Sequence, residues 1–229
     1  GFYRFKYEIT NLLKPAAQNI LEVTVSKHSS NNSVNKAERS GDFWAFGRIF
    51  RPVFLEKVPA TYIDRVAVDA KADGSFQLQV FAQHAHSDDI IEAEVQTLRG
   101  AVVGKPFSIK AGATQEIPVL KNNFVKPLLW SAEFPNLYKV VISIKRGAKQ
   151  IHQVTEKFGF RTVELRANDG LYVNGAKIIL KGCNRHSFWP ETGRTLSRAV
   201  HVMDIELMKS MNMNAVRMSH YPPDIDFLN

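Results

Sequence analysis

Two short stretches carry side chains that could do chemistry together: Asn184-Arg185-His186, and Arg217 with His220. Imidazoles can donate and accept hydrogen bonds near neutral pH. A guanidinium can grip a carboxylate with two prongs. Such a set suits recognition of a ligand rich in hydroxyl groups. The seven histidines include no H-E-x-x-H or comparable spacing, so zinc ligation is not indicated. The single cysteine, Cys183, excludes an internal disulfide and any cysteine-based zinc site. Beside Gly182 it reads as a small buried residue rather than a reactive thiol.

The surrounding pattern must position these groups. Ile178–Lys181 is a short apolar run with β-branched residues, as expected of a buried strand. A helix is expected over Ser197–Asn212, with Ser197 as N-cap and Val200, Met203, Leu207, Met208 and Met211 at roughly helical spacing. Asn214–Met218 reads as a second buried strand, closed by Ser219, His220, Tyr221 and two prolines. Strand, helix, strand implies a right-handed parallel βαβ unit. Residues at the carboxyl ends of parallel strands share one face, which in barrels holds the active site. Asn184, Arg185, His186, Arg217 and His220 are therefore expected in one polar pocket.

The order NG-x-x-x-x-L-K-G-x-N-R-H, then D-x-x-L-M-K-x-x-N-x-N-A-V-R-x-S-H-Y-P, resembles the opening of the catalytic barrel in glycoside hydrolase family 2. That family includes β-galactosidases, β-glucuronidases and β-mannosidases. Upstream, N-x-L-x-V-x-V, a polar loop, and D-F-W-A-F-G-R-I-F-R resemble the last strands of its N-terminal jelly roll. Trp130–Tyr138 is similar to its W-x-x-x-x-P-x-L-Y. Two departures stand out: Arg48 replaces a glycine, and Ser187 follows His186 where many β-galactosidases carry glutamate.

The implied fold is mostly β. Residues 1–58 would be the C-terminal part of a sugar-binding jelly roll, 59–158 an immunoglobulin-like sandwich, and 159–229 the truncated start of a (β/α)8 barrel. The residues agree. Phe2–Thr10 and Asn19–Ser26 alternate like strands, and His28–Gly41 reads as a surface loop. Strands are expected at Tyr62–Ala70, Phe76–Phe81, Ile90–Leu98, Pro106–Ile109, Gln115–Val119, Tyr138–Lys145 and Gln150–Thr155. Six or seven short strands suit such a sandwich. Asp73-Gly74 and Asn174-Gly175 mark tight turns. Tyr138 is a candidate corner tyrosine and Trp130 a packing residue.

The resemblance implies an exo-acting, retaining enzyme on terminal non-reducing β-D-galactosides. Alternatives are a β-glucuronidase or β-mannosidase, or a non-catalytic carbohydrate-binding protein. It places His186 and His220 around the sugar, Arg217 beside a carboxylate, and Asn184 and Arg185 behind the histidines. Asp42 would reach a sodium ion and the sugar 6-hydroxyl; its plainer reading is a turn-capping aspartate. Glycoside hydrolysis normally needs two carboxyl groups. Among Glu191, Asp204, Glu206, Asp224 and Asp226 no such pair is evident. Asp204 and Glu206 are expected on the outer side of the helix, away from the pocket. The family's two glutamates are expected beyond Asn229, so the chain alone should be inactive.

The chain has 229 residues, 45% hydrophobic and 10% aromatic, with no run long enough to span a membrane and no visible signal peptide. It reads as an internal piece of a longer protein, so its cellular address stays open. The net charge of +8 is scattered rather than clustered, which argues against nucleic acid. No cofactor is required within the chain. Na+ or Mg2+, and a homo-oligomer, are compatible with the parent.

Overall fold

The computed structural model describes residues 4–40, 47, 49–112 and 117–229. Asp42 and Arg48 lie outside the described residues, as do the first two residues of the expected strand at 115–119. The chain forms two compact units, residues 55–180 and residues 1–54 together with 181–229.

The first of these units is built on strands β1 (Tyr62–Ala70), β2 (Ser75–Gln83), β3 (Ile90–Thr97), β4 (Phe107–Lys110), β5 (Val119–Asn123), β6 (Tyr138–Arg146) and β7 (Lys149–Phe158). They pair antiparallel as a three-stranded sheet, β1-β2-β5, and a four-stranded sheet, β4-β3-β6-β7. The period-two pattern dictates the core. Phe76, Leu78 and Val80 face inward from β2, Ile91, Ala93 and Val95 from β3, and Val140, Ile142 and Ile144 from β6. The rings of Phe76, Phe124, Phe158, Phe160 and Tyr138 meet, with neighbouring centroids 5.1–5.6 Å apart along Phe158–Phe76–Phe124–Phe160–Tyr138. Each such buried ring contributes about 1.5–3 kcal/mol.

Three details fix this unit. Gly74 turns β1 into β2 at φ +89°, and a Cβ there would sit 1.9 Å from the Phe124 carbonyl oxygen. The Tyr138 hydroxyl accepts the Leu128 N–H at 2.9 Å, which is the expected tie to backbone. Trp130 packs against Gly159 and lies under Arg161, its ring centroid 4.6 Å from the guanidinium.

Beyond the sandwich, β8 (Val163–Arg166), β9 (Gly170–Val173) and β10 (Ala176–Ile178) form an antiparallel meander that the sequence reading passed over. Asn174 (φ 52°) and Gly175 (φ 80°) make the two-residue turn between the last two strands. The apolar run at Ile178–Lys181 is therefore not the buried strand. Ile178 ends the hairpin, and Ile179 and Leu180 are exposed.

In the other unit that strand comes later, as β11 (Gly182–Arg185). Helix α2 (Arg198–Ser210) follows, its N-cap Ser197 accepting the Val200 N–H. Then come β12 (Ala215–Met218) and the short α3 (Ile225–Leu228). Strands β11 and β12 pair in parallel, Gly182 with Ala215 through Arg185 with Met218, so the βαβ unit is present as expected. Only His201 and Met208 are buried on α2. Of the apolar residues at helical spacing, Met203, Leu207 and Met211 remain exposed. The helix turns a partly polar stripe to its strand instead.

Among the described residues before 55 no strand forms. The described parts of the expected strands at 2–10 and 19–26 join no ladder among the described residues, Thr10–Leu12 forms a short 3-10 turn instead, and Tyr7 and Ile20 are 80% and 88% exposed. Extended backbone gains little without a ladder partner, and no described segment supplies one. The polar stretch after His28 is not all loop. It holds helix α1 (Asn32–Arg39), capped by the Asn31 side chain on the Ser33 N–H.

Candidate functional site

The register of β11 on β12 decides which side chains meet. Arg185 is opposite Met218, so His186 is the first residue past one strand and His220 the second past the other. The Ser219 N–H donates to the Arg185 carbonyl at 2.9 Å and extends the ladder to the histidines. The two imidazoles stand edge to face with centroids 5.5 Å apart. His186 is half-buried and His220 exposed. Such a pair can donate to, or accept from, adjacent hydroxyls of one ligand.

Arg185 turns the other way. It is 7% exposed and reaches α2, where its Nε and Nη2 contact the same Asp204 carboxylate oxygen at 2.7 and 2.6 Å. Its Nη1 donates to Ser187 Oγ at 3.3 Å, its Nη2 lies 3.1 Å from His201 Nδ1, and the Phe227 ring covers the guanidinium at 4.3 Å. Asp204 therefore faces the strand rather than outward, contrary to the sequence expectation. A helix pointing its acidic residue at the strand end neutralises a cation that could not otherwise be buried. His201 is 3% exposed. Burial and then the Arg185 charge push its pKa below the usual histidine value.

The remaining expected residues divide. Arg217, opposite Asn184 on the paired strands, donates through Nη1 to the buried Ser219 Oγ at 3.2 Å. Asn184 is exposed in β11. Asp42 is outside the described residues. Among the described residues no group of three or more His, Cys, Asp or Glu could hold a metal ion. Nearby carboxylates have structural tasks: Asp204 holds Arg185, and Asp224 caps α3 and lies 3.8 Å from Arg51.

Sequence reasoning missed Ser187, His201 and Tyr221 as parts of this assembly. The Tyr221 hydroxyl accepts the Ser187 N–H at 2.9 Å, joining the loop after β11 to the one after β12. The Tyr221 ring lies 6.2 Å from that of His186, with Arg194 over it at 4.8 Å. A small cleft is lined by Phe50 and Arg51 together with Ser187, Arg194, Leu196, His201, Tyr221 and Asp224. Neither His186 nor His220 lines it.

Residues 61–161 match the model of glycosyl hydrolases family 2, and residues 163–229 match the TIM barrel domain of glycosyl hydrolases family 2. A β-galactosidase from Halalkalibacterium halodurans is 35% identical over 79% of this chain and 18% of its own length. A putative β-glucuronidase from Formosa agariphila is 29% identical over 98% of this chain and 27% of its own. The crystal structure of a β-glycosidase from Bacteroides vulgatus superposes with a TM-score of 0.69 at 25% identity, covering 80% of this chain and 24% of that one. The chain thus spans 18–27% of the length of these relatives. Through a matched sandwich followed by a matched barrel opening, it belongs to glycoside hydrolase family 2.

Proposed function

We propose that the complete protein carrying this chain is a retaining, exo-acting β-glycosidase, and that its substrates are terminal non-reducing β-D-galactosides. One observation carries the reading: two imidazoles 5.5 Å apart at the carboxyl ends of neighbouring parallel strands. That is the face on which barrel enzymes build their sites. In this reading His186 and His220 bind sugar hydroxyls and hold them more tightly as the ring distorts, which lowers the barrier rather than only the KM. Arg217, near His220 in sequence, orients a carboxylate. The acid/base and the nucleophile are supplied by the remainder of the protein, at the 5–5.5 Å separation typical of retaining enzymes. The similarity to β-galactosidases supports galactose, and a relative named as a putative β-glucuronidase, aligned over 98% of the chain, supports glucuronic acid as the second reading. β-Mannosidase and a non-catalytic carbohydrate-binding role follow.

The test is turnover of aryl β-galactoside, β-glucuronide and β-mannoside by the complete protein. Galactoside cleavage with retention at the anomeric carbon is the expected result. Cleavage of one of the other two alone replaces galactose, and cleavage of none removes the enzymatic reading. His220→Ala is expected to lower kcat about tenfold or more, equal to about 1.4 kcal/mol in the barrier. An unchanged kcat assigns His220 to packing.

A further inference from the structure

We propose that Tyr221 is a positioning residue: its hydroxyl bolts together the two loops that carry His186 and His220 and so sets the spacing of the imidazole pair. The inference rests on the glycosidase reading for its catalytic consequence, though not for its geometry. His186 sits between two anchored neighbours. On one side Arg185 is buried against Asp204, and on the other the Ser187 N–H is held by the Tyr221 oxygen at 2.9 Å. His220 immediately precedes the residue that supplies that oxygen. Ser187 Oγ also accepts from Arg185 at 3.3 Å, so a continuous path runs from Asp204 through Arg185 and Ser187 to Tyr221. Ser187 is 8% exposed, so little water is available to replace a missing acceptor. The strand ladder sets the backbone as far as Arg185 and Ser219. Past that point the phenol provides a direct cross-link between the loops. A looser pair still binds a hydroxylated ligand, but holds it less well in the one geometry that the transition state needs.

The test is Tyr221→Phe in the complete protein, which removes the acceptor and keeps the ring. The expected result is a fall of about tenfold in kcat with KM nearly unchanged. In a His186→Ala/His220→Ala background the same change should alter kcat by less than about twofold, because a residue acting through the histidine pair has nothing left to position. Crystals of the Y221F protein should show the ring centroids more than about an ångström beyond their 5.5 Å separation. An equal kcat loss in both backgrounds assigns the hydroxyl to general stability and overturns the proposal. So do an unchanged kcat, an unchanged ring separation, or a Y221F protein that fails to fold. If the wild-type protein cleaves no aryl glycoside, the enzymatic reading fails by itself. The ring separation in Y221F crystals still decides whether the bolt exists.

Discussion

Arg185 shows how a charged residue inside a strand is made tolerable. Its guanidinium has 7% exposure, a carboxylate from the helix, a serine hydroxyl, an imidazole nitrogen and an aromatic face. The imidazole takes part only when neutral, since a protonated His201 would set a second cation against Arg185. Asp204, Asp224 and Asp226 oppose that effect, but burial and Arg185 prevail and the pKa of His201 lies below its ordinary value. The sign of the consequence follows. An unfolded histidine titrates near about 6.5. Above that pH neither state carries the proton and His201 contributes nothing to pH dependence. Below it the unfolded chain takes up a proton that the folded chain refuses, so stability falls until the folded pKa is passed. His201→Gln, which keeps an acceptor but cannot titrate, is expected to flatten the decline in urea midpoint below about pH 6.5. An identical slope in the variant would show that other groups cause the decline. Sequence alone did not reveal this network because hydrophobic periodicity drew attention to Met203, Leu207 and Met211. The stripe facing the strand is His201, Asp204 and Met208, at spacings of three and four. An apolar-residue count passes over a buried ion pair, although the helical geometry of those positions was available to be noticed.

At the scale of elements, the order strand, helix, strand was legible because the helix has a strong N-cap in Ser197 and β12 is enclosed by an asparagine and two prolines. The start of the first barrel strand was not. Ile178–Leu180 is more apolar than Gly182–Arg185, and periodicity favours the more apolar run. Close approach decided otherwise. A Cβ on Gly182 would lie 2.1 Å from the Ala215 carbonyl oxygen, so only glycine lets β11 meet β12 at that rung. Gly182→Ala must move backbone rather than a flexible side chain. It is expected to destabilise the unit of residues 1–54 and 181–229 by about 2–4 kcal/mol, measured by urea unfolding. A loss below about 0.5 kcal/mol would show that the strands can separate locally at no cost. The sandwich strands were easier to place, because seven alternating segments with a hairpin glycine at position 74 leave few alternatives. Their assignment drifted only where alternation is weak, as at β5, which begins at Val119 where it was expected to end. The two early segments were misjudged for a different reason. Alternation at 2–10 and 19–26 is a property of those residues, whereas a strand is a property of two segments.

The whole molecule combines two kinds of stability, and acid should separate them. Residues 55–180 close a core of interlocked rings and aliphatic side chains from two sheets. The buried ionisable group here is Asp89, with no solvent exposure. Arg146 holds it with two donors at 2.7 and 2.9 Å, which lowers its pKa from the ordinary carboxylate value. A depressed carboxylate contributes stability above its unfolded pKa, about 3.9, and that contribution is lost only as pH falls through the folded value. Residues 1–54 and 181–229 pair just two strands among the described residues and leave Leu207, Met211, Ile20 and Leu21 exposed. They also carry His201, whose penalty begins near about pH 6.5. The acid limbs of the two units are therefore offset by more than two pH units on these groups. Hydrogen exchange followed peptide by peptide during acidification is expected to show β11, α2 and β12 losing protection as the pH falls below about 6.5, before Asp89 is protonated. Over the same interval β2, β3 and β6 should keep theirs. If both sets lose protection together, the two units unfold as one and the offset between His201 and Asp89 is immaterial. If the sandwich goes first, the core of Phe76, Phe124, Phe158 and Phe160 is weaker than its burial implies.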